Sequence, residues 1–327
     1  MPIATYIPLP ETSPFAPALV ALPEASPAAP AFLMAWTGSD GQHKLNTSRS
    51  DTGGTVWNKQ LVHEEHRTRR PLNPGEHWES SSASPALAVH HDVVYLCWAA
   101  PSDKRLWLMS STDRGSTWSN KHPIDEESSD GAPALLSYGD SLVTAWRGTD
   151  GAGTLTIATS SDDGATWSKV VLPEWSIAGP SLAQYASGAG FPYLFLAFTG
   201  TDHKIRTRSC QGGDFASFGR PVEAAEGQTL NETSDYGPAI AVLDSGEGKD
   251  IFVAIAWTGT GDQHIHVTYS LQGFSPFGNN SVSRDNVAST SPAMIKFAEF
   301  PAEDDKLVLS WADQEAHLNF AAADKIM

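Results

Sequence analysis

A short apolar run ending in an aromatic residue recurs six times in this chain, and nothing else in the sequence limits the fold as much. The runs are LMAW at Trp36, YLCW at Trp98, VTAW at Trp146, FLAF at Phe198, AIAW at Trp257 and VLSW at Trp311. A second aromatic stands 20 or 21 residues after each of the first five, at Trp57, Trp118, Trp167, Phe218 and Phe277. Ahead of each run, a proline opens a short apolar segment, at Pro17, Pro85, Pro133, Pro180, Pro238 and Pro292. A supersecondary unit repeated at this interval buries its faces against its own neighbours. Within residues 84–124 the pattern predicts strands at PALAVHH, VVYLCWA, LWLMSS and TWSNKHPI, separated by turns rich in Gly, Asp, Ser and Pro. No stretch carries a helical period of useful length.

Four short antiparallel strands, repeated six times, predict an all-β, six-bladed β-propeller in which each blade covers its neighbour and few edges stay open. The sixth copy begins at Pro292 and has only 16 residues after Trp311, room for three strands. Residues 2–8, PIATYIP, precede the first proline as the fourth strands precede the later ones. The N-terminal strand is therefore expected to complete the last blade, with residues 1–327 forming one domain.

Composition narrows the partners. Thirty-eight acidic residues against 21 basic ones give a formal charge of -17, which repels nucleic acid and anionic membrane and suits a neutral or cationic ligand. The two cysteines, Cys97 and Cys210, are too few for a disulfide framework and are expected to be free and packed. His43, His203, His264 and His317 have no metal-ligand spacing, and no metal or other cofactor is expected. The N-terminus lacks the basic start and apolar run of a signal peptide, so a cytoplasmic protein, or one exported without such a signal, is expected, acting as a monomer.

Residues 111–118, STDRGSTW, and 160–167, SSDDGATW, write Ser-x-Asp-x-Gly-x-Thr-Trp twice, and SDTGGTVW in the first repeat is a degenerate copy. These segments resemble Asp-boxes, the turn motif of sialidases and related propellers. The resemblance implies turns on the face opposite the binding site, so Asp113, Asp162, Trp118 and Trp167 are read as structural. The motif's chemistry is local: a glycine with positive φ, and an Asp that accepts bonds from the turn's own amides.

If those turns lie at the bottom, the second-to-third-strand turns and the connections between blades lie on top. The former place Asp40, Asp103, Asp150, Asp202, Asp262 and Asp313 at equivalent positions, a common turn composition. The connections carry a glutamate six residues before the proline in five copies, at Glu11, Glu79, Glu127, Glu174 and Glu232. A serine follows two residues later, at Ser13, Ser81, Ser129, Ser176 and Ser234; NVASTSP in the sixth copy breaks the pattern. The glutamates either cap amides of the connection or line a ligand site repeated at each junction, with neighbours such as Trp78, His66, Arg147 and Tyr236. A long charged connection, KQLVHEEHRTRRPLNPGEHWES, could bring Glu64, Glu65 and His66 over the same face.

Three functions fit these residues. A sialidase requires an arginine triad, and the family's first arginine lies in a Phe/Tyr-Arg-Ile-Pro motif; Tyr6-Ile7-Pro8 is the comparable segment and lacks it. The resemblance therefore implies a non-catalytic propeller lectin that binds a glycan, while leaving catalysis open. The alternatives are a glycoside hydrolase whose carboxylate pair comes from Glu64, Glu65, Glu79 and Glu232, and a propeller cyclase or isomerase acting on a small natural product in an apolar pocket.

Overall fold

The computed structural model describes residues 6–23, 30–62, 78–185, 192–213, 215, 227–244, 251–271, 277–299 and 303–323. It is a six-bladed β-propeller built from 24 strands. The first blade holds Ala18–Leu22, Ala31–Thr37, Leu45–Ser50 and Asn58–Leu61 (β2 to β5). The second holds Ala86–His90, Val93–Ala99, Arg105–Ser111 and Ser119–Ser128 (β6 to β9), and the third Ala134–Tyr138, Ser141–Arg147, Thr154–Ser160 and Ser168–Trp175 (β10 to β13). The fourth holds Ser181–Tyr185, Tyr193–Thr199, Lys204–Gln211 and Gly227–Thr233 (β14 to β17), and the fifth Ala239–Asp244, Ile251–Thr258, His264–Leu271 and Gly278–Val287 (β18 to β21). Ala293–Glu299, Glu303–Ala312 and His317–Ala323 (β22 to β24) need a fourth strand, and Ile7–Thr12 (β1) supplies it by pairing antiparallel with β24. In each blade the strands are called a to d from the axis outward.

The repeated aromatics explain why blades of this sequence stack. Trp36, Trp98, Trp146, Phe198, Trp257 and Trp311 lie on the b strands and are all but fully buried. They join core clusters that cross from one blade to the next: Leu9, Phe32, Trp36, Leu318 and Phe320 tie the sixth blade to the first. Such clusters remove large apolar surfaces that no single blade could cover. Cys97 and Cys210 are free and buried, and burial pushes the Cys97 thiol up to about 12.

The c-to-d turns fold as small hydrogen-bonded loops. In the second blade, the Ser111 hydroxyl donates to Asp113 Oδ1 at 2.8 Å and accepts the Gly115 amide at 2.8 Å. The Thr117 amide and hydroxyl donate to the two Asp113 oxygens at 2.8 and 2.7 Å. Ser160, Asp162, Gly164 and Thr166 repeat this in the third blade. In the first blade Thr52 stands where the aspartate would be, and its hydroxyl accepts the Val56 amide at 2.9 Å. Gly54, Gly115 and Gly164 have φ of 88°, 85° and 92°, and a Cβ there would strike Phe320, Leu33 and Leu108 of the preceding blade. These turns thus lock each blade onto the one before it.

Candidate functional site

The a strands line an axial cavity of about 440 Å³, walled by Ala, Pro, Leu, Val and Ile with a few serines, Gln184 and Lys296. Neither an arginine nor a carboxylate lines it among the described residues. The chemistry-bearing side chains lie further out, in the seams between blades.

A bulge in the d strands of five blades places them. Across the second blade, Arg105 and Trp107 pair with Ser128 and Pro123, so two steps on strand c face five on strand d. A like irregularity, two steps on strand c against four or five on strand d, separates Pro8 from Thr12, Val171 from Trp175, Thr229 from Thr233 and Val282 from Val287. An inserted stretch bends the strand and re-aims its side chains. Each bulge opposite a described core drops one apolar residue inward, Leu9, Ile124, Leu172 or Leu230, all buried. The residue just before pairing resumes is Glu11, Glu127, Glu174, Glu232 or, in the fifth blade, Asn286. In the first blade Asn46 pairs with Leu61, and the next pair is the bridge between Lys44 and Ser80, immediately after Glu79. Val62 is that blade's buried residue.

The serines, not the glutamates, satisfy the connection. Ser13, Ser81, Ser129, Ser176 and Ser234 are buried. The Ser81, Ser129 and Ser176 hydroxyls donate to carbonyls two residues on and to the end of the next b strand, at 2.7–3.1 Å. The amides of all five serines donate to Ala316, His43, Lys104, Gly153 and His203, the residues that end the b-to-c turns in left-handed conformation. His43 and His203 are therefore turn residues, and His264 and His317 begin c strands. The aspartates close the same turns; Asp150 Oδ1, for example, accepts the amides of Ala152, Gly153 and Thr154.

Freed from capping, four glutamates face cations of the following blade. Glu11 pairs with Lys59, Glu127 with Lys169, and Arg208 reaches Glu174 through Nε at 2.8 Å. Lys121 donates to both Glu79 oxygens at 2.7 Å while its ammonium lies 4.6 Å from the Trp107 ring centre and 5.8 Å from that of Trp98. At three of these seams the cation also lies against an aromatic ring, Lys59 over Trp36, Lys121 over Trp107 and Arg208 over Phe198.

The seam between the fifth and sixth blades is different. Asn286 replaces the glutamate, and a cavity of about 210 Å³ opens between it, Tyr6, Trp311, Asn319 and the turn Asp313–Glu315. Asn286 and Asn319 are 3% and 1% exposed, and the Oδ1 of each has no hydrogen-bond partner. Leaving a buried amide oxygen unpaired costs about 1–3 kcal/mol, so two around one cavity mark a place made for donors from outside. The Asn319 amide nitrogen donates to the His317 carbonyl at 3.0 Å and to Asp313 Oδ2 at 3.3 Å. Tyr6 and Trp311, 5.9 Å apart at 59°, form an aromatic wall.

Other candidates from the sequence fall elsewhere. Arg147 is spent on the Ser176 carbonyl at 2.8 Å and on Asp130. Tyr236 is half-buried, and its carbonyl accepts the Thr199 hydroxyl at 2.7 Å. Trp78 is half-buried beside Glu79. Glu64, Glu65, His66 and Phe218 lie outside the described residues. The sequence reading missed Asn286 and Asn319 because it treated NVASTSP as a break in the pattern; its signal was an amide at the glutamate position.

No protein-family model matches the sequence, and no curated protein matches it. Solved structures share its fold. AofleA from Arthrobotrys oligospora superposes with a TM-score of 0.67 at 13% identity, covering 98% of this chain and 86% of that one. The Hadza microbial sialidase Hz136 gives 0.65 at 16% identity over 95% of this chain and 65% of its own. A mutant of the Aleuria aurantia lectin AAL, in complex with Fucα1-6GlcNAc, gives 0.64 at 12% identity over 96% and 93%. A sialidase and a lectin therefore share this architecture, and the fold by itself assigns no activity.

Proposed function

We propose that the chain is a carbohydrate-binding propeller of the lectin kind, and that its best-formed site is the open seam between the fifth and sixth blades. The paired, unpartnered oxygens of Asn286 and Asn319 beside Tyr6 and Trp311 carry this reading. Neutral sugar hydroxyls would donate to the two oxygens, and the sugar's C–H face would lie on the aromatic wall. The site needs no ligand charge, in keeping with a strongly acidic chain that disfavours anionic glycans. The glutamate seams are secondary: their carboxylates are already engaged by cations and act first as staples between blades. The protein is proposed to work as a single-domain monomer.

The apolar axial cavity favours a second reading, transformation of a small apolar molecule, with Lys296 the titratable side chain among its described lining residues. One panel separates the readings. The full chain is screened on an array of neutral and sialylated glycans and assayed with chromogenic glycosides. Retention of neutral glycans without turnover is the expected result. Glycoside turnover would replace the proposal with a hydrolase, and no retention of any glycan would return attention to the axis.

A further inference from the structure

On the face that carries the c-to-d turns, two blades bring imidazoles and carboxylates together. His90 and His91 end the a strand of the second blade and begin its turn, and Asp163 sits in the c-to-d turn of the third. His90 Nε2 and His91 Nδ1 each stand 3.6 Å from Asp163 Oδ1, and the three atoms all lie within 4.8 Å of one another.

These separations are too long for hydrogen bonds. Ligands of one tetrahedral zinc ion, with bonds of about 2.0–2.1 Å, stand about 3.4 Å apart, close to what is seen. The buried imidazole is tethered on its far side: His90 Nδ1 is 2.8 Å from the Ser137 hydroxyl. Metal-bound histidines are held in this way, one nitrogen tethered by an outer oxygen and the other left with its lone pair for the ion. Asp140 adds a negative charge nearby, its Oδ1 3.8 Å from His91 Nε2. The His90 side chain is 1% exposed, whereas His91 and Asp163 are 58% and 63% exposed, so one ligand is fixed in the protein and two close over it from solvent.

We propose that His90, His91 and Asp163 form a binding site for one divalent transition cation, with Ser137 orienting the His90 imidazole. Two nitrogens and one carboxylate oxygen suit zinc, nickel or copper and not magnesium or calcium, which take oxygen ligands. The ion would join the second blade to the third on the face away from the open seam, with its remaining coordination position open to water.

The test uses the full chain and zinc chloride alone, followed by calorimetry and thermal melting. One ion per chain should bind, and the melting midpoint should rise with zinc and not with magnesium. His91→Asn and Asp163→Asn suit these positions, whose φ of 47° and 58° asparagine tolerates. Each should melt like the parent without metal and bind zinc at least about tenfold more weakly. Cobalt(II) should give the parent tetrahedral visible absorption that both variants lose. Absence of a zinc-dependent shift in the parent, or the same zinc affinity in both variants, would overturn the site.

Discussion

At the scale of single residues, the carboxylates of the c-to-d turns serve the turn itself. Burial raises the Asp113 carboxyl, but the hydrogen bonds from Thr117, Ser111 and Ser116 together outweigh it and hold the group below the usual carboxylate range. Asp113→Ala should lower stability by about 1–3 kcal/mol, read by denaturant unfolding, and leave glycan affinity of the folded protein unchanged. The Thr166 hydroxyl and amide and the Ser160 hydroxyl bring Asp162 from 3.8 down to about 2. A depressed carboxylate contributes stability above its unfolded pKa and loses it as pH falls through the folded value. Melting between pH 4 and pH 2 should therefore show an acid loss that Asp162→Asn reduces; an identical pH profile would remove this role. The motif was legible in STDRGSTW and SSDDGATW because its bonds are local in sequence. The pairing of Asn286 with Asn319 was not, because the two residues come to line one cavity only across a seam between segments 33 residues apart.

At the scale of elements, the d-strand bulge decides what each seam contains. It turns Leu9, Val62, Ile124, Leu172 or Leu230 inward, and the residue before renewed pairing faces the next blade. Sequence spacing found that position in five copies as a glutamate six residues before proline, but spacing cannot show that a serine two residues later does the capping. Glu79→Gln should test the staple: Lys121 would lose its charged partner, and stability should fall by about 1 kcal/mol or less, since both side chains are partly solvated. Glycan affinity should not move. A loss of binding with unchanged melting would make that seam a site in its own right.

At the scale of the whole molecule, the ring depends on β1. It pairs with β24 and places Leu9 against Leu318, Phe320 and Trp36, so it closes both a sheet and a core. Truncation through Thr12 should expose the edge of β24, lower the melting midpoint strongly and promote self-association. A truncated chain that melts like the parent would refute closure. The six repeats made this architecture readable before any geometry, because apolar periodicity and turn composition specify blades directly. They did not reveal the cavity at the seam between the fifth and sixth blades, where Asn286 stands at the otherwise repeated glutamate position. The account's central claim is that this open seam holds the sugar, and Asn286→Leu tests it most directly. The change removes an unpartnered buried oxygen at nearly constant shape, so the empty protein should be as stable as the parent or more so. Titration of the best-retained neutral glycan should show affinity at that seam falling at least about tenfold, the loss of about 1.4 kcal/mol. Unchanged affinity and stoichiometry in a fully folded Asn286→Leu protein would contradict the claim.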